Sequence, residues 1–138
     1  MASEHLIQAV KQIASLSRAG QVEQAYEGYR ALFSDPVFQT YGAEDQRRAL
    51  KLMVHTKRRE NIAPPYVVEA HRAAIAPLME LAAAFGEPSD FEMLGMCQVL
   101  AGDEQGASVS FRAGLNIERS RNPQSDLCGS LMKWERRG

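Results

Sequence analysis

The stretch Gln98-Val99-Leu100-Ala101-Gly102-Asp103-Glu104-Gln105-Gly106-Ala107 echoes an earlier one, Leu16-Ser17-Arg18-Ala19-Gly20-Gln21-Val22-Glu23-Gln24-Ala25. In each, a glycine closes a segment of helical periodicity, because glycine accepts the left-handed cap conformation at little cost. An alanine follows five residues later, an aromatic (Tyr29 or Phe111) four after that, and Leu32 or Gly114 three further on. The alanine marks where a second helix presses closest to the first, so only a small side chain fits. The aromatic fills the wedge beside it. The two stretches, offset by 82 residues from Gly20 to Gly102, therefore predict two antiparallel helical hairpins.

Further breaks fall at Asp35-Pro36, Gly42, Pro64-Pro65, Gly86-Glu87-Pro88 and Asn122-Pro123. The segments between them are rich in Ala, Leu, Met, Glu, Gln and Arg, all strong helix formers. None alternates apolar and polar residues strictly, and Asn-Gly and Asp-Gly hairpin turns are missing. The predicted class is all-α, with about seven helices.

The first helix, about Glu4 to Arg18, carries the stripe Leu6, Ala9, Val10, Ile13 and Leu16, with Ser3 as its N-cap. The second carries Val22, Ala25, Tyr26, Tyr29, Leu32 and Phe33 and stops at Ser34-Asp35-Pro36. Residues 35–42 form a connection that tucks Phe38 and Tyr41 onto the body. A third helix, about Ala43 to Glu60, turns Ala49, Leu50, Met53 and Val54 inward. The fourth runs from Pro65, suited to a first helical position, to Phe85. Its inward residues are Val67, Val68, Ala70, Ala74, Ile75, Leu78, Leu81, Ala82 and Phe85, and Pro77 should kink or split it. Ser89 and Glu92 form a capping box for the fifth helix. Asp103 caps the sixth. Asn122-Pro123 opens a seventh, whose Lys133, Arg136 and Arg137 suit the dipole at a C-terminus.

Between Pro88 and Arg119, the residues Phe91, Leu94, Gly95, Gly102, Ala107, Phe111 and Gly114 alternate large and small as in the tetratricopeptide repeat family, which the chain resembles here. The resemblance makes Gly95 and Ala107 the crossing point of two helices. The match is weaker in a first repeat at about 4–36, where Ile13 stands in place of a small residue. Two units of about 34 residues would span about 68, so the middle unit, about 43–85, is a divergent hairpin about 14 residues longer. The resemblance implies a single domain over 1–138: a short right-handed superhelix of antiparallel helical hairpins, with a third repeat at about 88–119 and a C-terminal capping helix at about 123–137. It also implies a protein-interaction module (adaptor, scaffold or chaperone) holding a partner segment in a concave groove.

Composition narrows the alternatives. The chain has 138 residues, 45% hydrophobic and 24% charged, with sixteen basic side chains against seventeen acidic ones. That balance is globular and excludes a polycation or an acidic tail protein. No apolar run approaches the ~18 residues of a membrane span. Met1-Ala2-Ser3-Glu4-His5 carries acid where a signal peptide carries base, so the expected compartment is the cytoplasm and no membrane contact is expected. Cys97 and Cys128 are far apart, and His5, His55 and His71 are scattered, which is not metal-ligand spacing. Cys97, among Leu94, Met96 and Val99, fits a buried reduced thiol. No nucleophile elbow, phosphate loop or zinc-protease motif is present. An enzyme is not expected, and neither is a cofactor.

Charge is unevenly placed. Residues 46–59 carry Arg47, Arg48, Lys51, Lys57, Arg58 and Arg59 and no acid, whereas residues 60–104 carry Arg72 against eight acids. On a helix, Arg47, Lys51 and His55 share one face, apart from Ala49, Leu50 and Met53. In the repeat family the first helix of each hairpin lines the groove. This makes Arg47, Lys51 and His55, with Glu92 and Met96 on the first helix of the third unit, the candidate partner-binding residues. The cations suit an acidic segment or a free C-terminal carboxylate. The same stripe also reads as a solvated face, or as neutralising Glu69, Glu80, Glu87 and Glu92. The alternative function is a nucleic-acid or polyanion binder using the basic helix 47–59, against which the run lacks interleaved aromatics. Leu127, Leu131, Met132 and Trp134 let the last helix cap the third repeat, which favours a monomer.

Overall fold

The computed structural model describes residues 2–58 and 60–137, with the side chains of Ala2 and Ser3 left out of the description. It is all-helical: seven α-helices and one 3-10 turn, with no strand among the described residues. The chain groups into two compact units, residues 1–77 and 78–138, so the single domain expected from the sequence has two centres of packing.

In the first unit, α1 (Ala2–Arg18) buries Leu6 and Ile13 and packs along α2 (Val22–Ser34), which buries Ala25, Tyr26 and Phe33. Helix α1 starts ahead of Ser3, whose expected capping side chain lies outside the described residues. Asp35 caps the 3-10 turn Pro36–Thr40 by accepting from the Val37 N–H at 3.0 Å. Phe38 and Tyr41 are buried there as expected. The amide of Gln46 donates to the Tyr41 carbonyl at 2.8 Å and holds the connection down. Helix α3 (Ala43–Val54) buries Ala49, Leu50, Met53 and Val54 on its predicted face. It ends six residues earlier than the sequence predicts (Val54 rather than Glu60). His55 closes the last turn on the Lys51 carbonyl, and the Thr56 hydroxyl donates to the Leu52 carbonyl, a side-chain bond that competes with helical continuation.

Helix α4 (Pro65–Phe85) has its predicted limits. It is continuous through Pro77, which is itself fully buried, so the expected split does not occur. Val67, Ala70, Ala74, Leu78, Leu81 and Ala82 are buried, whereas Phe85 is exposed rather than inward. An aromatic ladder runs through the first unit. Tyr29 stacks on Phe33, Phe33 meets Phe38 edge-on at 5.1 Å, and Phe38 meets Tyr41 edge-on. At the other end Tyr26 touches Tyr29, Tyr66 and His71. Such ring pairs add to the area they bury.

In the second unit, α5 (Pro88–Leu100) packs most extensively on α6 (Glu104–Arg121), and α6 on α7 (Asp126–Glu135). The capping box does not form. Pro88 takes the first helical position, Glu87 stands at the cap, and the Glu92 carboxylate accepts instead from the Ser130 hydroxyl of α7. Asp103 caps α6 as expected, accepting from the Gly106 N–H at 2.9 Å. Helix α7 opens later than Asn122-Pro123, because Ser125 caps it by accepting from the Cys128 N–H at 3.0 Å. Ala107, Phe111, Leu115, Cys128 and Leu131 form the core, with Met96, Val99, Leu127 and Trp134 against it.

The two predicted hairpin turns have the same hydrogen bonds at the same offset. Gln21 N–H donates to Leu16 C=O and Asp103 N–H to Gln98 C=O, both at 2.9 Å. Gly20 donates to Ser17 and Gly102 to Val99, both at 3.1 Å. The glycines have φ +80 and +85, in the left-handed region. This is the Schellman pattern of a helix stop. The close approach inside each hairpin differs, however. A Cβ on Gly95 would fall 2.7 Å from Cδ1 of Phe111, so Gly95 faces the Phe111 ring. In the first hairpin the small partner lies on the second helix: a Cβ on Gly28 would fall 2.8 Å from Cγ1 of Ile13.

Candidate functional site

The expected cationic face does not assemble as one surface. Arg47 is 9% exposed and its guanidinium bonds Glu44 at 2.6 Å, because its position on α3 lies beside the buried Gln46, Leu50 and Ala49. Lys51 is exposed on α3, and His55 is exposed just past its end. Arg48 leans toward Asp45 at 3.8 Å. Lys57 and Arg58 lie in the extended connection after the helix, and Arg59 lies outside the described residues. The five described cations thus belong to several surroundings. A four-residue spacing places side chains on one face but says nothing of whether that face is covered.

Glu92 is buried as well, and Met96 is partly buried. Glu92 is buried against Ser130 of α7, and Met96 packs on the core that Phe111 and Leu131 form. Another face of α5 carries the part-exposed Phe91 with the buried Leu94 and Gln98. Together with Met79, Ala82 and Ala83 of α4 and Gly106, Val109 and Ser110 of α6, these residues line a hollow of about 380 Å³. Its walls are mostly apolar. Val109 is 68% exposed and Met79 53% exposed at its rim. The floor holds a buried polar pair, the Ser110 hydroxyl donating to the Gln98 side-chain carbonyl at 2.6 Å. That pair fixes α5 against α6, and the Gln98 amide N–H groups are the polar donors of an otherwise mostly apolar lining. Sequence periodicity missed this groove because Met79 and Val109 look like ordinary members of apolar stripes.

A second hollow, of about 430 Å³, lies within the first unit. It is lined by Ser17 of α1, by Val22, Ala25, Tyr26 and Tyr29 of α2, and by Thr56, Lys57, Arg58 and Glu60 of the connection after α3. Burial raises the pKa of both tyrosines; the Arg58 charge works against this at Tyr26. Nearby, His71 is buried with its Nδ1 2.8 Å from the Val67 carbonyl, which makes that nitrogen the protonated donor of a neutral ring. Burial holds its pKa below the usual histidine value, with the Arg58 charge acting the same way.

Cys97 and Cys128 are both buried free thiols, and burial pushes the Cys97 thiol up to about 12. Among the described residues, no group of three or more His, Cys, Asp or Glu is placed to hold a metal ion. No helix among them is long and apolar enough to cross a membrane. Compared with known proteins, the chain matches no family model, no curated protein sequence and no solved structure.

Proposed function

We propose that the chain is a protein-binding module of the tetratricopeptide-like kind, a monomeric, non-enzymatic adaptor, scaffold or chaperone of the cytoplasm. Its partner contact is the apolar hollow of the second unit. The observation that carries this reading is the exposure of Val109 and Met79 at the rim of that hollow. Apolar side chains gathered around a concavity, rather than scattered singly, are what binding surfaces present. The matching turns at Gly20 and Gly102 support the repeat reading, because stacked hairpins bury a continuous core while leaving an inner surface free. The partner segment is then apolar at its centre rather than acidic, since the cations expected to receive an acidic segment are dispersed or buried.

The test is capture from the source cell by the wild-type chain, by Met79→Glu/Val109→Glu, and by a control, Arg72→Glu, followed by reconstitution with the purified partner. A partner retained by wild type and control and lost with the groove variant supports the reading. Retention by a folded groove variant overturns it.

A further inference from the structure

We propose that the hollow in the first unit is a binding site for a small aromatic carboxylate. Its ring lies against Val22, Tyr26 and Tyr29, and its carboxylate is taken by Arg58 and Lys57. At about 430 Å³ the hollow is within the usual size of a small-molecule site and has the usual make-up, a mostly apolar wall with a few polar groups.

The polar groups are biased toward donors. Lys57 and Arg58 carry donors alone, and neither forms an ion pair among the described residues. The hydroxyls of Tyr26 and Tyr29 make no hydrogen bond among the described residues, and as neutral phenols both can donate. Such a wall asks for an acceptor carrying negative charge. The aromatic floor asks for a flat ring, with Tyr26 and Tyr29 meeting edge-on at 6.1 Å. Arg58 can stack on a ring as well as bond a carboxylate.

Glu60 sets the limit on the ligand's charge. Among the described lining residues it is the one acid, set against Lys57 and Arg58, so those three side chains sum to one positive unit. That favours a monoanion such as a carboxylate over a doubly charged phosphate. The inference is independent of the groove in the second unit, and its failure would leave the partner-binding reading untouched.

The test uses three probes that share one ring and differ in charge: indole-3-acetate, indole-3-acetamide and tryptamine. Each is titrated into the full chain at neutral pH by calorimetry, with backbone amide shifts of Val22 and Ala25 locating the site. The acetate is expected to bind about tenfold more tightly than the amide, the size of one charged hydrogen bond, and tryptamine most weakly. Lys57→Gln/Arg58→Gln, which alters exposed side chains, should remove the preference, so that acetate and amide bind this variant alike. Lys51→Gln, outside the hollow, should change nothing. Equal binding of acetate and amide, a preference for tryptamine, no binding of any probe, or a preference that survives the double variant would overturn the proposal. A ten-residue peptide ending in tryptophan that binds tenfold more tightly than indole-3-acetate would overturn the small-molecule assignment in favour of a chain end.

Discussion

Phe111 of α6 lies flat enough against α5 that the Cβ any other residue would place at position 95 falls 2.7 Å from its Cδ1 and Cζ. The same ring stacks on Trp134 at 5.1 Å, and the Arg137 guanidinium lies 4.9 Å from its centroid. Glycine at 95 is thus a requirement of side-chain volume and not of backbone conformation. Gly95→Ala is expected to destabilise the chain by ~1–3 kcal/mol, the usual cost of overpacking, read from the urea midpoint. Ala107→Leu, at a fully buried site in the same core, should cost about as much. An unchanged midpoint in both would mean the α5–α6 packing described above is wrong.

Ile13 and Gly28 form the equivalent contact with the sizes exchanged. Gly28→Ala should destabilise by about 1 kcal/mol, and Ile13→Ala, which removes the Cγ1 that the new methyl would meet, should cost ~2–5 kcal/mol. Because trimming Ile13 makes room for the new methyl, the double variant should cost less than the sum. A double-mutant cycle by urea denaturation checks this, and strict additivity would place the two residues out of contact.

Arg47 and Lys51 should separate sharply. Arg47 is largely buried, so Arg47→Glu puts a carboxylate in a covered position next to the exposed Glu44 and is expected to cost ~1–3 kcal/mol. Lys51→Glu alters an exposed side chain and should stay within about 0.5 kcal/mol. Thermal melts of the two single variants settle the matter. Equal, small effects would return Arg47 to the surface.

His71 gives stability a pH dependence. Its folded pKa lies below 6.5, so in acid the unfolded chain takes up the proton more readily than the folded one. The stability it contributes is complete above pH 6.5 and declines as pH falls below that value, levelling off below the folded pKa. Urea midpoints measured from pH 7.5 to pH 5 should fall less steeply in His71→Phe than in the wild type. Identical slopes would show that His71 titrates alike in both states.

The two thiols should resist modification. Cys97 and Cys128 are buried, and Cys97 with its pKa near 12 holds almost no thiolate at neutral pH. Ellman's reagent should label neither in the native chain and both in urea. Rapid labelling of the native protein would require an open route to one of them.

What the sequence made legible was local. Gly20 and Gly102 mark their turns because a left-handed residue is a backbone demand that glycine meets. The limits of α4, the inward face of α3 and the tucked Phe38 followed from proline chemistry and periodicity. The candidate site was not legible for the opposite reason. Glu92 pairs with Ser130, 38 residues away, and no spacing rule reaches that far. Periodicity put Arg47 on the predicted face, but what covers that face is decided by distant residues. Phe111 was recognised as a large residue, but that its ring lies against Gly95 was not legible from spacing.

The turns at Gly20 and Gly102 select for handedness. Both glycines are exposed, and a built Cβ meets nothing within 4 Å at either, so L-alanine there would be penalised by its backbone alone. The φ values of +80 and +85 are those a D-residue prefers. A chemically synthesised chain with D-alanine at both turns should therefore melt higher than the natural one. It would keep the turn and lose the freedom that glycine gives the unfolded chain, at about 0.4–1 kcal/mol per site. The same two positions that tolerate no ordinary side chain would then accept its mirror image.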